Sequence, residues 1–151
     1  MADHLPIYIV DDDEDDLVLL RYCLQHCSIQ LPFEFHGNGE NFIAWLEKRT
    51  DPHPPPFILL LDLKMPKVDG FDVLAWLKKD PRYAKNPVVI LSSSNMAEDV
   101  QRAYALGASW YLQKPCTLEQ YHQLVHRFAL FCEKMSEQFA PHGNQNANPG
   151  A

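Results

Sequence analysis

No uninterrupted apolar run in this chain exceeds five residues, which is far short of a membrane span or a signal-peptide core. Positive charge is scarce as well. Lys and Arg number 13 against 20 Asp and Glu, and the resulting net charge of −7 is a poor match to nucleic acid. The four cysteines, Cys23, Cys27, Cys116 and Cys132, form no C-x-x-C pair and no zinc spacing, so they read as reduced thiols. There is no internal repeat. These absences point to a cytoplasmic protein that engages neither membrane nor nucleic acid. With 151 residues, 46% of them hydrophobic, the chain is long enough for one well-buried domain.

What the sequence does contain is an alternation of short apolar runs with longer stretches of helical period. Strands are expected at residues 5–10, 33–36, 57–61, 88–91 and 109–112, and helices at 14–27, 40–48, 71–79, 97–106 and 117–138. Five strands, each followed by a helix, predict an α/β fold: a doubly wound, five-stranded parallel sheet with helices on both faces. "FILLL" and "VVIL" have the near-continuous apolar character that central parallel strands need. "TDPHPPP" reads as a stiff loop ahead of the third strand. The domain is expected over residues 5–138, with 139–151 left as a disordered polar tail.

The first strand, "IYIV", runs directly into six acids, Asp11 to Asp16. In open α/β sheets ligands bind beyond the carboxyl ends of the strands. Asp11 and Asp12 follow the first strand, Asp62 the third, Ser92 the fourth and Lys114 the fifth. Three carboxylates, a hydroxyl and an ammonium are thereby predicted around one point. Two unit charges about 4 Å apart repel by about 4 kcal/mol at an effective dielectric near 20. Such a cluster calls for a cation, and an oxygen-only donor set suits Mg²⁺. Asp13 to Asp16 are assigned instead to the first turn of the next helix, where the dipole and free N–H groups favour negative charge. Replacing Asp15 or Asp16 is therefore expected to leave metal-dependent chemistry nearly intact. A carboxylate such as Asp62, fixed beside Mg²⁺ and a lysine, can act as a nucleophile on phosphorus, with Ser92 donating to a phosphoryl oxygen.

On these residues the chain resembles the receiver domain of two-component response regulators over about residues 5–133. The acid pair in "IVDD", the D-x-x-M-P-x-x-D-G run from Asp62 to Gly70, Ser92, and "KP" at Lys114–Pro115 appear in that family's order. The resemblance implies a flavodoxin-like receiver fold with Asp62 as phosphoacceptor and Asp12 as a direct Mg²⁺ ligand. Asp11 would bind the metal through water, and the Lys64 backbone carbonyl would complete the protein ligands. Ser92 and Lys114 would contact the phosphoryl group, and Tyr111 would swing as Ser92 moves. The Lys114–Pro115 bond would be cis. Lys64 and Ser94 would flank the path of the hydrolytic water and tune the phosphoryl lifetime. Ser92 stands where many relatives carry threonine, so the hydroxyl is kept without the methyl. "GFDVLAWLKKDP" and "ALGASWYLQKP" are most similar to small single-domain regulators, some of which work beside bacterial phytochromes.

The function so implied is a phosphorylation switch, fed by a histidine kinase or phosphotransfer protein, with no output domain, that signals by contact with a downstream protein. It is not expected to be an enzyme beyond its own phosphoryl transfer and slow autodephosphorylation. Haloacid-dehalogenase-type phosphatases also pair a strand-end Asp with Mg²⁺ and Lys, but they need a second Asp two residues on, where this chain has Lys64. The last helix carries a heptad-like apolar stripe that includes Phe128, Phe131 and Met135. From Phe131 onward the sheet is expected to have run out, which predicts a homodimer contact there.

Overall fold

The computed structural model describes residues 4–139. Five strands alternate with five helices: β1 (Ile7–Val10), α1 (Glu14–Gln25), β2 (Phe33–His36), α2 (Gly39–Glu47), β3 (Ile58–Leu61), α3 (Gly70–Lys79), β4 (Val88–Ser92), α4 (Ala97–Ala105), β5 (Trp110–Gln113) and α5 (Leu118–Gln138). All strand pairs are parallel, in the order β2-β1-β3-β4-β5. The doubly wound α/β expectation holds.

Period-two alternation divides the sheet between two cores. Ile7, Ile9, Ile58, Leu60, Val89 and Leu91 face α1 and α5, and pack with Leu20, Cys23, Leu24, Leu124 and Phe128. Val10, Leu59, Leu61, Val88 and Ile90 face the other way, onto Phe42, Leu46, Leu74, Leu77 and Ala103 of α2, α3 and α4. Each large aliphatic side chain so buried is worth about 1.5–3 kcal/mol. Among the described residues no helix is long and apolar enough to cross a membrane.

Boundaries shift for identifiable reasons. β1 starts at Ile7, after Pro6, which has no N–H to give a ladder. The Phe57 N–H goes to the Asn86 side chain at 3.3 Å, outside β3. Ser92 is the last residue of β4 and sits within the ladder.

The end of α5 differs from the expectation. Phe128 is only 1% exposed, and Phe131 packs against Trp110 in a tilted pair with centroids 5.3 Å apart. Met135 packs against the α1–α5 core, and the Ser136 hydroxyl accepts the Leu5 N–H at 2.9 Å. The apolar positions from Phe131 on therefore do not stand free in water. The last turns of α5 cover β5 and the segment that leads into β1, so Phe131 and Met135 are half-buried within the chain. Phe139 caps α5, its N–H bonding the Met135 carbonyl at 3.0 Å. The rest of the expected polar tail lies outside the described residues.

One glycine holds the site-bearing turn in place. Gly70 opens α3 directly behind β3, and its N–H bonds the Leu63 carbonyl at 2.9 Å. A Cβ there would overlap the Asp62 carbonyl oxygen and lie 2.7 Å from the Leu63 Cα. Gly70→Ala is expected to lower the free energy of unfolding by about 1–3 kcal/mol, because backbone would have to give. Urea denaturation measures this, and a loss below about 0.5 kcal/mol would show that the turn can relax.

Candidate functional site

Strand order reverses between β1 and β3, and the predicted residues converge at that switch point. The Asp62 N–H bonds the Val10 carbonyl at 3.0 Å, extending the β1–β3 ladder by one residue and aiming the carboxylate out of the sheet's end. Asp11 and Asp62 are buried, 2% and 5% exposed, whereas Asp12 is exposed. Carboxylate oxygens of Asp11, Asp12 and Asp62 all lie within 4.8 Å of one another. On the far side, the Lys114 N–H bonds the Ser92 carbonyl at 2.8 Å, which anchors the lysine beside β4. Its ammonium lies 2.6 Å from Asp16 Oδ2, 3.1 Å from Asp11 Oδ2 and 3.5 Å from Asp62 Oδ1. Asp12, Asp16, Asp62 and Lys114 line a cavity of about 670 Å³ whose wall also includes Lys64, Ser93, Gln113, Cys116 and Tyr121, while Asp11 and Ser92 lie behind it.

The electrostatics follow from this crowding. Burial and then the Asp11 charge push the Asp62 carboxyl up to about 6, against the pull of Lys114 and the Lys64 N–H. Burial also raises Asp11, opposed by the Asp13 N–H, which donates to its Oδ1 at 2.9 Å, and by Lys114. For Lys114 burial acts to lower the pKa, but Asp16, Asp11 and Asp62 together outweigh it and keep the ammonium charged.

Stability should carry this signature. Asp62 binds its proton more tightly in the fold, near 6, than at the ordinary 3.8 of an unfolded chain. Between those values the folded state holds more protons, so stability falls as pH rises through that window. The penalty is absent below 3.8 and complete above about 6. Asp62→Asn removes the charge while Lys114 keeps Asp11 and Asp16. Without metal at neutral pH it should gain about 1–2 kcal/mol, allowing for water at the cavity mouth. That gain should shrink as pH falls below 6, which urea titrations across pH would show. Equal stability of the two proteins at neutral pH would exclude Asp62 as the source of strain.

The donor set fits a hard divalent cation. Among the described residues no ion pair reaches Asp12, and the Lys114 ammonium is already shared by Asp11, Asp16 and Asp62. Asp11, Asp12 and Asp62 offer oxygens only, the chemistry of Mg²⁺ and Mn²⁺ sites.

The other predicted residues fall into place unevenly. Ser92 is fully buried, and its Oγ accepts the Ser94 N–H at 3.2 Å, leaving its own proton to donate. The Tyr111 hydroxyl donates to the Ser94 carbonyl at 2.8 Å, so the ring points toward the β4–α4 loop. Lys64 lines the cavity, with an exposed side chain. Ser94 does not. It is buried; its hydroxyl donates to Asp99 Oδ2 at 2.6 Å and accepts the Met96 N–H at 3.2 Å, bracing the start of α4. Ser93 takes the position on the cavity wall. Among the described residues every peptide bond is trans, including Lys114–Pro115, contrary to the cis expectation. The two isomers of an X–Pro bond differ by only about 0.5–1 kcal/mol, so local sequence does not dictate the choice.

Two residues at the site, Asp16 and Tyr121, escaped sequence reasoning. Asp13 caps α1, accepting the Asp15 and Asp16 N–H groups at 2.9 and 3.3 Å, as the acidic run implied. Asp16, however, is not a solvated first-turn acid: it grips Lys114 and accepts the Tyr121 hydroxyl at 3.2 Å. A signal was available. Asp16 stands four residues before Leu20 and eight before Leu24, on the inward stripe of α1.

A profile of the response regulator receiver domain matches residues 7–126. The chain belongs to the response regulator receiver family, the phosphorylation-switch class of two-component signal transduction. It is 32% identical over 121 residues to the response regulator Rcp1 of Synechocystis, covering 79% of this chain and 82% of that one. The phosphorylated cyanobacterial phytochrome response regulator RcpA superposes with a TM-score of 0.77 at 30% identity, over 87% of this chain and 96% of that one. The Mn²⁺-bound form of Rcp1 superposes at 0.74 with 31% identity, over 84% and 93%.

Proposed function

We propose that this protein is a switch operated by phosphorylation of Asp62 with Mg²⁺, and that it signals by contact with another protein. The observation that carries the reading is the Asp62 carboxylate, placed at the switch point of the sheet between a three-carboxylate cluster and the Lys114 ammonium. The donor is a histidine kinase or phosphotransfer protein, and the similarity to RcpA favours a kinase of the phytochrome class. A carboxylate oxygen of Asp62 attacks phosphorus as the bond to the donor imidazole nitrogen breaks. The electron pair of that bond stays with the imidazole, which takes up a proton from water.

Asp11, Asp12, Asp62 and the Lys64 carbonyl would hold Mg²⁺, which when bound would supply charge neutralisation at the phosphoryl oxygens. Lys114 neutralises the same group from the opposite side, and the free proton of the Ser92 hydroxyl is available to one oxygen. The bond from the Ser94 N–H to Ser92 Oγ, followed by that from Ser94 Oγ to Asp99, ties the acceptor end of β4 to α4. Movement of Ser92 would therefore reach α4, and Tyr111 is bonded to the same loop. The net charge of −7 and the absence of a basic face in the sequence support protein, not nucleic acid, as the output partner in the cytoplasm.

The test is intact mass after incubation with acetyl phosphate. With Mg²⁺ the chain should gain one phosphoryl mass that hydroxylamine removes, and with chelator it should gain none. A chain that stays unlabelled with Mg²⁺, or an adduct that resists hydroxylamine, would refute the reading.

A further inference from the structure

The carboxylate nearest Lys114 is neither the acceptor nor one of the three clustered for a metal. Asp16 Oδ2 lies 2.6 Å from the ammonium, against 3.5 Å for Asp62. It is itself held from behind, because the hydroxyl of Tyr121, 4% exposed, donates to its other oxygen at 3.2 Å. α1 supplies the acid, α5 the phenol, and the turn after β5 the lysine. All three line the cavity that a phosphoryl group on Asp62 would enter.

Resting on the proposed phosphorylation of Asp62, the geometry points to Asp16 as a positioning residue that holds Lys114 back and so shortens the life of the phosphorylated state. Two effects of one sign lead there. An ammonium bound most closely by Asp16 must loosen that contact to serve the phosphoryl oxygens. An interaction stronger before phosphorylation than after it favours the unphosphorylated state. The Asp16 charge also faces the incoming phosphoryl charge across the same cavity, and like charges repel. Tyr121 strengthens both by fixing the carboxylate.

The experiment follows the decay of the phosphoryl mass after acetyl phosphate is removed, with Mg²⁺ kept present. Asp16→Asn keeps the shape and drops the charge, and should lengthen the half-life by about fivefold or more. Asp16→Glu should stay closer to wild type than Asp16→Asn does. In a Lys114→Ala background, Asp16→Asn should lengthen the half-life by less than half as much, since its main route of action is gone. A merely structural role would lower the melting temperature and leave the half-life of the folded protein unchanged. An unchanged or shorter half-life in Asp16→Asn, or an equal effect with and without Lys114, overturns the inference. Should Asp16→Asn fail to fold, Tyr121→Phe keeps the carboxylate and removes only its brace. It should lengthen the half-life about twofold, and no lengthening there also overturns it. If wild type takes up no phosphoryl group at all, the functional reading fails first, which keeps the two failures apart.

Discussion

Asp62→Ala is expected to gain no phosphoryl mass under conditions that label the wild type to completion. Seven acids, Asp11 to Asp16 and Asp62, stand at these strand ends, and only Asp62 combines three properties with a place on the cavity wall. It is fixed by the ladder bond from its N–H to the Val10 carbonyl, 3.0 Å long. It has an ammonium at 3.5 Å. It shares a metal-competent cluster with Asp11 and Asp12. Asp11 shares the ladder, the ammonium and the cluster, but it is more deeply buried, at 2% against 5% exposed, and does not line the cavity. Asp13 is occupied as the cap of α1. Each tenfold in rate is about 1.4 kcal/mol of barrier, and loss of the nucleophile removes the whole covalent route. Full labelling of Asp62→Ala, found by peptide mapping on another carboxylate or on a serine, would show that the acceptor is misassigned.

Asp12→Ala should come next in size, abolishing Mg²⁺-dependent labelling while Asp62 remains in place. Asp12 is the exposed member of the cluster and makes no ion pair among the described residues, so no cation but a metal offsets it. Loss of an outer-sphere partner typically costs 10–100-fold in metal affinity, and loss of a direct ligand should cost at least about 100-fold. Asp15→Ala is the matched control. Asp15 is exposed and only adds charge to the first turn of α1, worth about 0.3–1 kcal/mol of helix stability. Mg²⁺ titrations of labelling yield should separate the two variants clearly. Equal damage from Asp12→Ala and Asp15→Ala would mean that the acidic run is divided in the wrong place.

The strand ends were legible because their signals are local. Apolar runs of four or five residues stop at Asp11, Asp62 and Ser92, and a parallel sheet gathers such ends on one edge whatever the loops do. The spacing that carries the family resemblance follows from the same architecture, since each strand-to-strand interval must hold one helix and two turns. The residues gathered at the end of the sheet, Asp11, Asp12, Asp62 and Lys114, could therefore be named from sequence. Ser94 was not legible. Two residues beyond Ser92 it could face the cavity or the start of α4, and a 2.6 Å bond to Asp99 settles it on α4.

Sequence alone determined the ten elements, the two-sided core and the residues at the end of the sheet, because hydrophobic period and punctuation act within a few residues of one another. Tertiary structure alone decided which acid holds Lys114. Asp16 and Lys114 are 98 positions apart, and Asp16 and Tyr121 are 105 apart. Their meeting depends on how α1 and α5 lie side by side on one face of the sheet. The same packing decided the fate of Phe131 and Met135. A helix stripe reports how much apolar surface needs cover, but only the positions of β5 and α1 show how much of it this chain covers from within.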